Sequence, residues 1–421
     1  MNKCEVYIGE DEKCYEGQYE IEGNSIEVEV FNYHSSQDER VPIGSFVNHK
    51  NIKIVDLRNK IFLFSPAFYN AGFTIGLTQY EKFKTDFYLF TNIYIDSDAL
   101  TPEIKVSSLK IYNPMLIHCF KNCTLLISHN SNELIYKIDK TAETKEVTIN
   151  ANNINKIEFG DEVSSSNKNS NQLISIESEN YVKIYFAEPI SYEEILEYIK
   201  EFDVFVDAYC LTGMRSYKTY ITTSEGKIFD VVHKLLGKEK YYKNTPYNLV
   251  KMNFYDFMES MYKNINYRNA DNRNKYFPLE LKKPTSLEDQ YTYYFRYIDL
   301  YMGDLLRQET GNEPSNFSRL SRFVDDYVQY FNSDGTTNIR NLKNELNSLR
   351  NHYVHEGYYL PNNEFKVTEN RRFLYNKSMD YRWLFRMVNV FKFGAYKILY
   401  TKVLEMEINE SALINALKCW F

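Results

Sequence analysis

Residues 349–357 read LRNHYVHEG and hold two of the chain's seven histidines. Arg350, Asn351 and His355 are the residue types with which a phosphodiester can be cut without metal. Transesterification in RNA needs a base to take the 2′-hydroxyl proton, an acid to protonate the leaving 5′-oxygen and a cation to hold the scissile phosphate. Asn351 and His355 stand four apart and so share one face of a helix, with Arg350 turned about 100° from Asn351. A histidine near a helix C-terminus feels the negative end of the helix dipole, which favours its protonated form. One copy of the chain supplies one such histidine, and a two-fold dimer would bring two together. His352 stands at a different spacing and is not in the set. Arg350 and His355 also have a plainer use, capping the carbonyls at the end of their helix.

The element that must carry these residues is a helix over about Asn338–His355, stopped by Gly357. Ile339, Leu342, Leu346, Leu349 and Tyr353 alternate three- and four-residue steps and give it one apolar stripe, to which none of the three belongs. Its neighbours are helical too. A capping box at Thr285 and Glu288 opens a helix that runs to about Thr310 and is ended by Gly311 and Pro314. A second helix spans about Phe317–Asn332 and a fourth about Met379–Met406, so residues 286–421 are expected to form an all-α bundle. Residues 264–285, with Pro278 and Pro284 and no period, are expected to link domains.

Residues 1–263 have another character. Short alternating runs, among them 19–31, 60–66, 86–95, 103–112, 133–139, 181–186 and 216–223, predict about a dozen strands, with a hairpin tip at Gly23 and Asn24. That pattern predicts a sandwich-like, β-rich domain. SSSNKNSNQ (164–172) is expected to be a loop, and a capping box at Ser191 and Glu194 to open one helix over about 191–210. The fold class expected is α+β, a β-rich domain followed by a helical bundle.

A length of 421 residues suits two or three domains, and 43% apolar with 25% charged residues is the composition of a soluble globular chain. The start carries no apolar leader core, and no run approaches the roughly 18 apolar residues of a membrane span, so a cytoplasmic protein without membrane contact is expected. Six cysteines without a CxxC pair read as reduced thiols. His118, Cys119, Cys123 and His129 invite a zinc reading, but their spacing fits no common zinc pattern. Charge separates the two ends: residues 281–421 hold 19 basic and 17 acidic residues, residues 1–280 hold 31 and 40. Residues 366–402 alone hold nine basic and two acidic residues. Of these Arg371, Arg372, Arg382, Arg386 and Lys397 are candidate contacts to an RNA backbone, and Arg382, Arg386 and Lys397 fall within about 60° of one another on the fourth helix.

Arg350 and His355 with four residues between them, the first of which is the polar Asn351, near the end of a helix in a C-terminal bundle, resemble the arginine-x4-6-histidine motif of HEPN ribonucleases. The larger layout, a β-rich N-terminal domain before a bundle with SLRNHYVHEGYYL, resembles the ApeA-type antiphage proteins, which act by abortive infection. The resemblance implies a HEPN-like bundle carrying a metal-independent endoribonuclease with no cofactor. It also implies a composite site at a homodimer interface built by that bundle, with Arg350 and His355 catalytic and Asn351 orienting. It further implies products ending in a 2′,3′-cyclic phosphate, a cellular RNA substrate such as tRNA, and an N-terminal domain that responds to a phage-derived trigger. Two other readings stay open: a HEPN module that binds RNA or nucleotide without cutting, and a dimeric sensor or scaffold.

Overall fold

The computed structural model describes residues 1–8, 13–32, 51–58, 60–64, 68–73, 79–91, 104–120, 124–130, 133–139, 144–167, 174–238, 246–264, 287–327, 339–351 and 379–418. The chain divides into two units. The first comprises residues 1–205, 213–245 and 253–265, the second 206–212, 246–252 and 266–421. The proposed linker, 264–285, lies almost wholly outside the described residues, as does the Thr285 capping box. The architecture is mixed α+β, with one large antiparallel sheet.

The first unit begins with eight strands: β1 (Asn2–Ile8), β2 (Cys14–Glu22), β3 (Ser25–Phe31), β4 (Ile52–Asp56), β5 (Ile61–Phe64), β6 (Phe68–Phe73), β7 (Gln79–Thr85) and β8 (Phe87–Thr91). β1 pairs with β2 and β4, β2 with β3, β3 with β7, and β5 with both β4 and β8, all antiparallel. Only Asp86 separates β7 from β8, so the two form one bent strand and the pairing closes on itself as a six-membered barrel. Alternation fills its interior, because every second side chain of each strand points inward. Val6, Ile26, Val28, Ile54, Phe62, Phe83 and Tyr88 form one buried cluster there. Gly23, at φ +60°, makes the β2–β3 turn. Asp56 secures the β4–β5 turn by accepting the backbone N–H groups of Arg58 (2.8 Å) and Lys60 (2.9 Å) and the Tyr19 hydroxyl (3.0 Å).

From β8 the same sheet continues outward. After β9 (Lys105–Tyr112) come the short helix α1 (Leu116–Cys119) and a separate hairpin of β10 (Thr124–Asn130) and β11 (Glu133–Asp139). Then follow β12 (Lys145–Ala151), β13 (Ile154–Asn167), β14 (Ile174–Ser191), α2 (Ile195–Cys210), β15 (Lys218–Thr223), β16 (Ile228–His233) and α3 (Phe254–Asn264). The spatial order β8-β16-β15-β9-β14-β13-β12 completes a 14-stranded sheet. The sandwich-like expectation is therefore corrected to one continuous sheet that is closed at one end and open at the other. Ser164–Asn167 are likewise strand, paired with Ile174–Glu177 of β14, and not loop. One face of the open part buries Leu109, Ile111, Ile157, Phe159, Val182, Ile184, Ile221 and Phe229. Helices α2 and α3 cover it, with ring contacts Phe186–Tyr198 (4.8 Å between centroids) and Phe159–Phe254 (5.9 Å). The capping box of Ser191 and Glu194 is present, on a single 3-10 turn that leads into α2.

In the second unit, α4 (Leu287–Thr310), α5 (Asn316–Asp326), α6 (Ile339–Asn351), α7 (Met379–Ile398) and α8 (Glu410–Lys418) follow in order. Gly311, at φ +71°, closes α4, and the Ser315 hydroxyl caps α5 by accepting the Ser318 N–H at 3.1 Å. Three helices converge on Phe391 of α7, whose ring meets Tyr291 and Phe295 of α4 at 5.2 and 5.8 Å and Phe323 of α5 at 5.0 Å. Gly394 gives Phe323 its room, since a Cβ there would overlap the ring. The fourth helix, expected to reach Met406, is shorter in its α-helical part, which ends at Ile398; a π-helical turn, Leu399–Val403, follows. Tyr400 on that turn donates to the carbonyl of Ala208 at 2.5 Å.

Candidate active site

On helix α6 the stripe residues Leu342 and Leu346 are buried and Ile339 is half-buried, while Arg340, Asn341 and Asn344 face out; the Leu349 side chain and Tyr353 lie outside the description. Polar links hold it to the rest of the unit. The Lys343 ammonium pairs with Asp325 of α5 at 2.7 Å, and the Tyr291 hydroxyl of α4 donates to the Leu346 carbonyl at 3.3 Å. Arg350 and Asn351 are the last two described residues of α6, with their side chains outside the description. His355, the intervening His352, Arg371 and Arg372 lie outside the described residues.

The remaining candidate cations stand on α7. Arg382 belongs to it with its side chain outside the description, and Arg386 is half-buried. Lys397 pairs with Glu410 of α8 at 2.5 Å, and its ammonium lies 5.9 Å from the Tyr327 ring and 6.0 Å from that of Phe393. Arg386 and Lys397, eleven residues apart, fall on one side of α7. Elsewhere in the unit Arg307, Arg319 and Arg322 are committed to pairs with Glu313, Asp299, Glu309 and Asp326 along α4, α5 and the turn between them. These arginines brace the helices.

Three of the four zinc candidates fall in described elements. His118 and Cys119 end α1, Cys123 lies outside the described residues and His129 is in β10. Among the described residues, no three or more His, Cys, Asp or Glu side chains gather as a metal would require.

The first unit carries two polar constellations that periodicity alone did not single out. On the outer face of the open sheet, lysines rest on tyrosine rings: Lys110 on Tyr181 (3.8 Å), Lys156 and Lys183 on Tyr185 (both 4.7 Å), Lys218 on Tyr112 (4.6 Å). Glu158 accepts the hydroxyls of Tyr181 (2.8 Å) and Tyr185 (2.7 Å), Glu162 that of Tyr112 (2.5 Å) and Glu179 that of Tyr217 (3.0 Å). The alternation of Tyr181, Lys183 and Tyr185 against Val182, Ile184 and Phe186 was the available signal.

The second constellation is buried. One oxygen of Asp203, on α2, accepts the Ser216 N–H (2.9 Å), the Ser216 hydroxyl (2.5 Å) and the Asn113 amide (3.0 Å). Burial outweighs these bonds and holds the carboxyl up at about 6. His233 of β16, also buried, accepts the Leu235 N–H on Nδ1 at 3.2 Å. Burial first, then the Lys200 charge, pushes it down to about 4, so it is neutral at pH 7. Both groups serve the interior of the first unit.

Compared with protein-family models, curated proteins and solved structures, the chain matches none. Among the described residues, no helix is long and apolar enough to cross a membrane.

Proposed function

We propose that the chain is a metal-independent RNA endonuclease of the HEPN type. The helices from α4 onward form the HEPN-like bundle that carries the chemistry, and the β-rich unit restrains or triggers it. The observation that supports this reading is the placement of Arg350 and Asn351 on α6, one helical turn beyond buried Leu346, in a helix whose apolar residues Leu342 and Leu346 are spent on the core. His355 follows one turn later in the sequence, at the spacing the motif requires.

In the reaction, a neutral His355 takes the proton from a ribose 2′-hydroxyl as that oxygen attacks the adjacent phosphorus. Arg350 balances the charge that gathers on the non-bridging oxygens. The P–O5′ bond breaks, and the leaving oxygen takes a proton from a second, protonated His355 contributed by the other subunit of a homodimer. Asn351 orients the phosphate or the histidine. The products are a 2′,3′-cyclic phosphate and a 5′-hydroxyl. Arg371, Arg372, Arg382, Arg386 and Lys397 are the proposed contacts to the RNA backbone, with Lys397 reaching it only by leaving Glu410. In a cell this activity suits a cytoplasmic abortive-infection effector that cuts cellular RNA, tRNA among it, when a phage-derived signal relieves the restraint.

The decisive experiment incubates purified protein with total cellular RNA, with and without EDTA, and maps the ends. Cutting in EDTA that leaves cyclic phosphates supports the reading. Retarded but intact RNA favours a binding module, and neither effect favours a scaffold.

A further inference from the structure

We infer that Tyr291 is a positioning residue for the catalytic turn, acting through the carbonyl of Leu346; this rests on the nuclease reading above. The Tyr291 ring is buried between Phe295 (5.8 Å, stacked) and Phe391 (5.2 Å, edge-on), a setting in which a phenylalanine would fill the same space. A hydroxyl buried there costs stability unless it is hydrogen-bonded. It is directed at the main chain of α6, where it donates to the Leu346 carbonyl at 3.3 Å.

That carbonyl has a particular place in the helix. Each α-helical carbonyl accepts the N–H four residues on, and for Leu346 this is the N–H of Arg350 itself. A carbonyl oxygen has two lone pairs, so it can serve the helix and Tyr291 together. The turn that ends in Arg350 is thereby tied to α4, while Lys343 ties the preceding turn to α5 through Asp325. Buried Leu342 and Leu346 set the distance of α6 from the core, and the hydroxyl fixes its rotation and axial position at the catalytic end. A guanidinium that must meet phosphate oxygens only in the transition state is sensitive to displacements of this kind.

The test compares the full-length wild type with Tyr291→Phe, His355→Ala and Leu413→Ala on a defined RNA in EDTA, at a temperature where circular dichroism shows every variant folded. Leu413 is a buried residue of α8 whose truncation lowers stability without touching the α6 turn. Tyr291→Phe should lower kcat by about tenfold and leave KM within about twofold, because ground-state binding is not what the hydroxyl serves. The Arg350 amide should also exchange its hydrogen faster than in wild type or in Leu413→Ala. Wild-type kcat in Tyr291→Phe beside an inert His355→Ala overturns the inference and leaves the nuclease reading standing. A loss no greater than that in Leu413→Ala, with unchanged Arg350 exchange, overturns it as well. Wild-type cutting by His355→Ala overturns the nuclease reading and the inference together.

Discussion

The ring of Tyr181 lies across Gly160 on the neighbouring strand, so close that a methyl group at residue 160 would overlap it. The backbone at Gly160 is ordinary strand, so the glycine is there for space and not for turn geometry. The flattened ring is what lets the Lys110 ammonium sit over it and the hydroxyl reach Glu158.

Gly160→Ala should therefore destabilise the first unit by about 1–3 kcal/mol, the usual cost of overpacking. Combined with Tyr181→Ala the loss should be smaller than the sum of the two single losses, since the clash disappears with the ring. Urea unfolding of the four proteins measures this, and strictly additive losses would show that the ring does not need the glycine.

Asp203 and His233 oppose each other across the same pH window. The carboxyl, at about 6 in the fold against an ordinary 3.8, adds stability that is fully present below pH 4 and is lost as pH rises through 6. The shift of about two units corresponds to about 3 kcal/mol. Asp203→Asn keeps an oxygen acceptor for Ser216 and Asn113, so the stability of the variant relative to wild type should rise by about that amount between pH 4 and 6.5. A difference that stays level over the window would refute the raised carboxyl.

For His233 the sign is reversed. Its depressed value of about 4 against an ordinary 6.5 adds stability that is present above pH 6.5 and lost as pH falls through 4. Its ring-proton resonances should not titrate until pH approaches 4, whereas an exposed histidine titrates near 6.5. A midpoint near 6.5 would mean that the imidazole meets water.

His355→Ala and Arg350→Ala should each lower RNA cleavage by at least about a hundredfold, with the fold intact by circular dichroism. His352→Ala, off the motif spacing, should be milder. A substrate with a 2′-deoxy sugar at the cut should be inert, because its nucleophile is gone. Activity lost in chelator and restored by magnesium would point to a metal-dependent nuclease.

An excess of His355→Ala chains exchanged with wild type should depress activity below that of the remaining wild-type chains alone, because a mixed dimer would hold one histidine at its shared site. Activity that follows the number of wild-type chains in direct proportion, with exchange verified, would mean that each subunit cuts by itself.

Elements whose cause is local were legible in the sequence. Gly23 and Asn24 make the hairpin, Ser191 and Glu194 the capping box, Gly311 the end of α4, and the 342/346 spacing the buried stripe of α6. Helix α3 has a local cause as well, with Phe254, Phe257, Met258, Met261 and Tyr262 at helical steps, but eleven residues make a weak signal. Pairing between strands distant in sequence was not legible. Alternation tells which face of a strand is apolar and not which strand lies beside it, so a closed barrel reads like half a sandwich. The same holds for side chains: the basic count over 366–402 was plain, but that Lys397 would spend its charge on Glu410 depends on how α8 packs back on α7. Arg350 and Asn351 take their place on α6 as their spacing predicts, while His355 lies outside the described residues.

Because β7 and β8 are one bent strand, all six members of the barrel ring are encoded before residue 92. A chain emerging from the ribosome can thus complete this closed structure while β9 and everything after it are still unsynthesised. The barrel then offers the free side of β8 to β16, whose 87–233 register is the last ladder needed to join the open sheet to it. Chains stalled shortly after residue 130 should already resist protease within the six strands of the barrel ring. The order of synthesis would give the molecule a finished surface on which the slower, long-range pairings of the open sheet assemble.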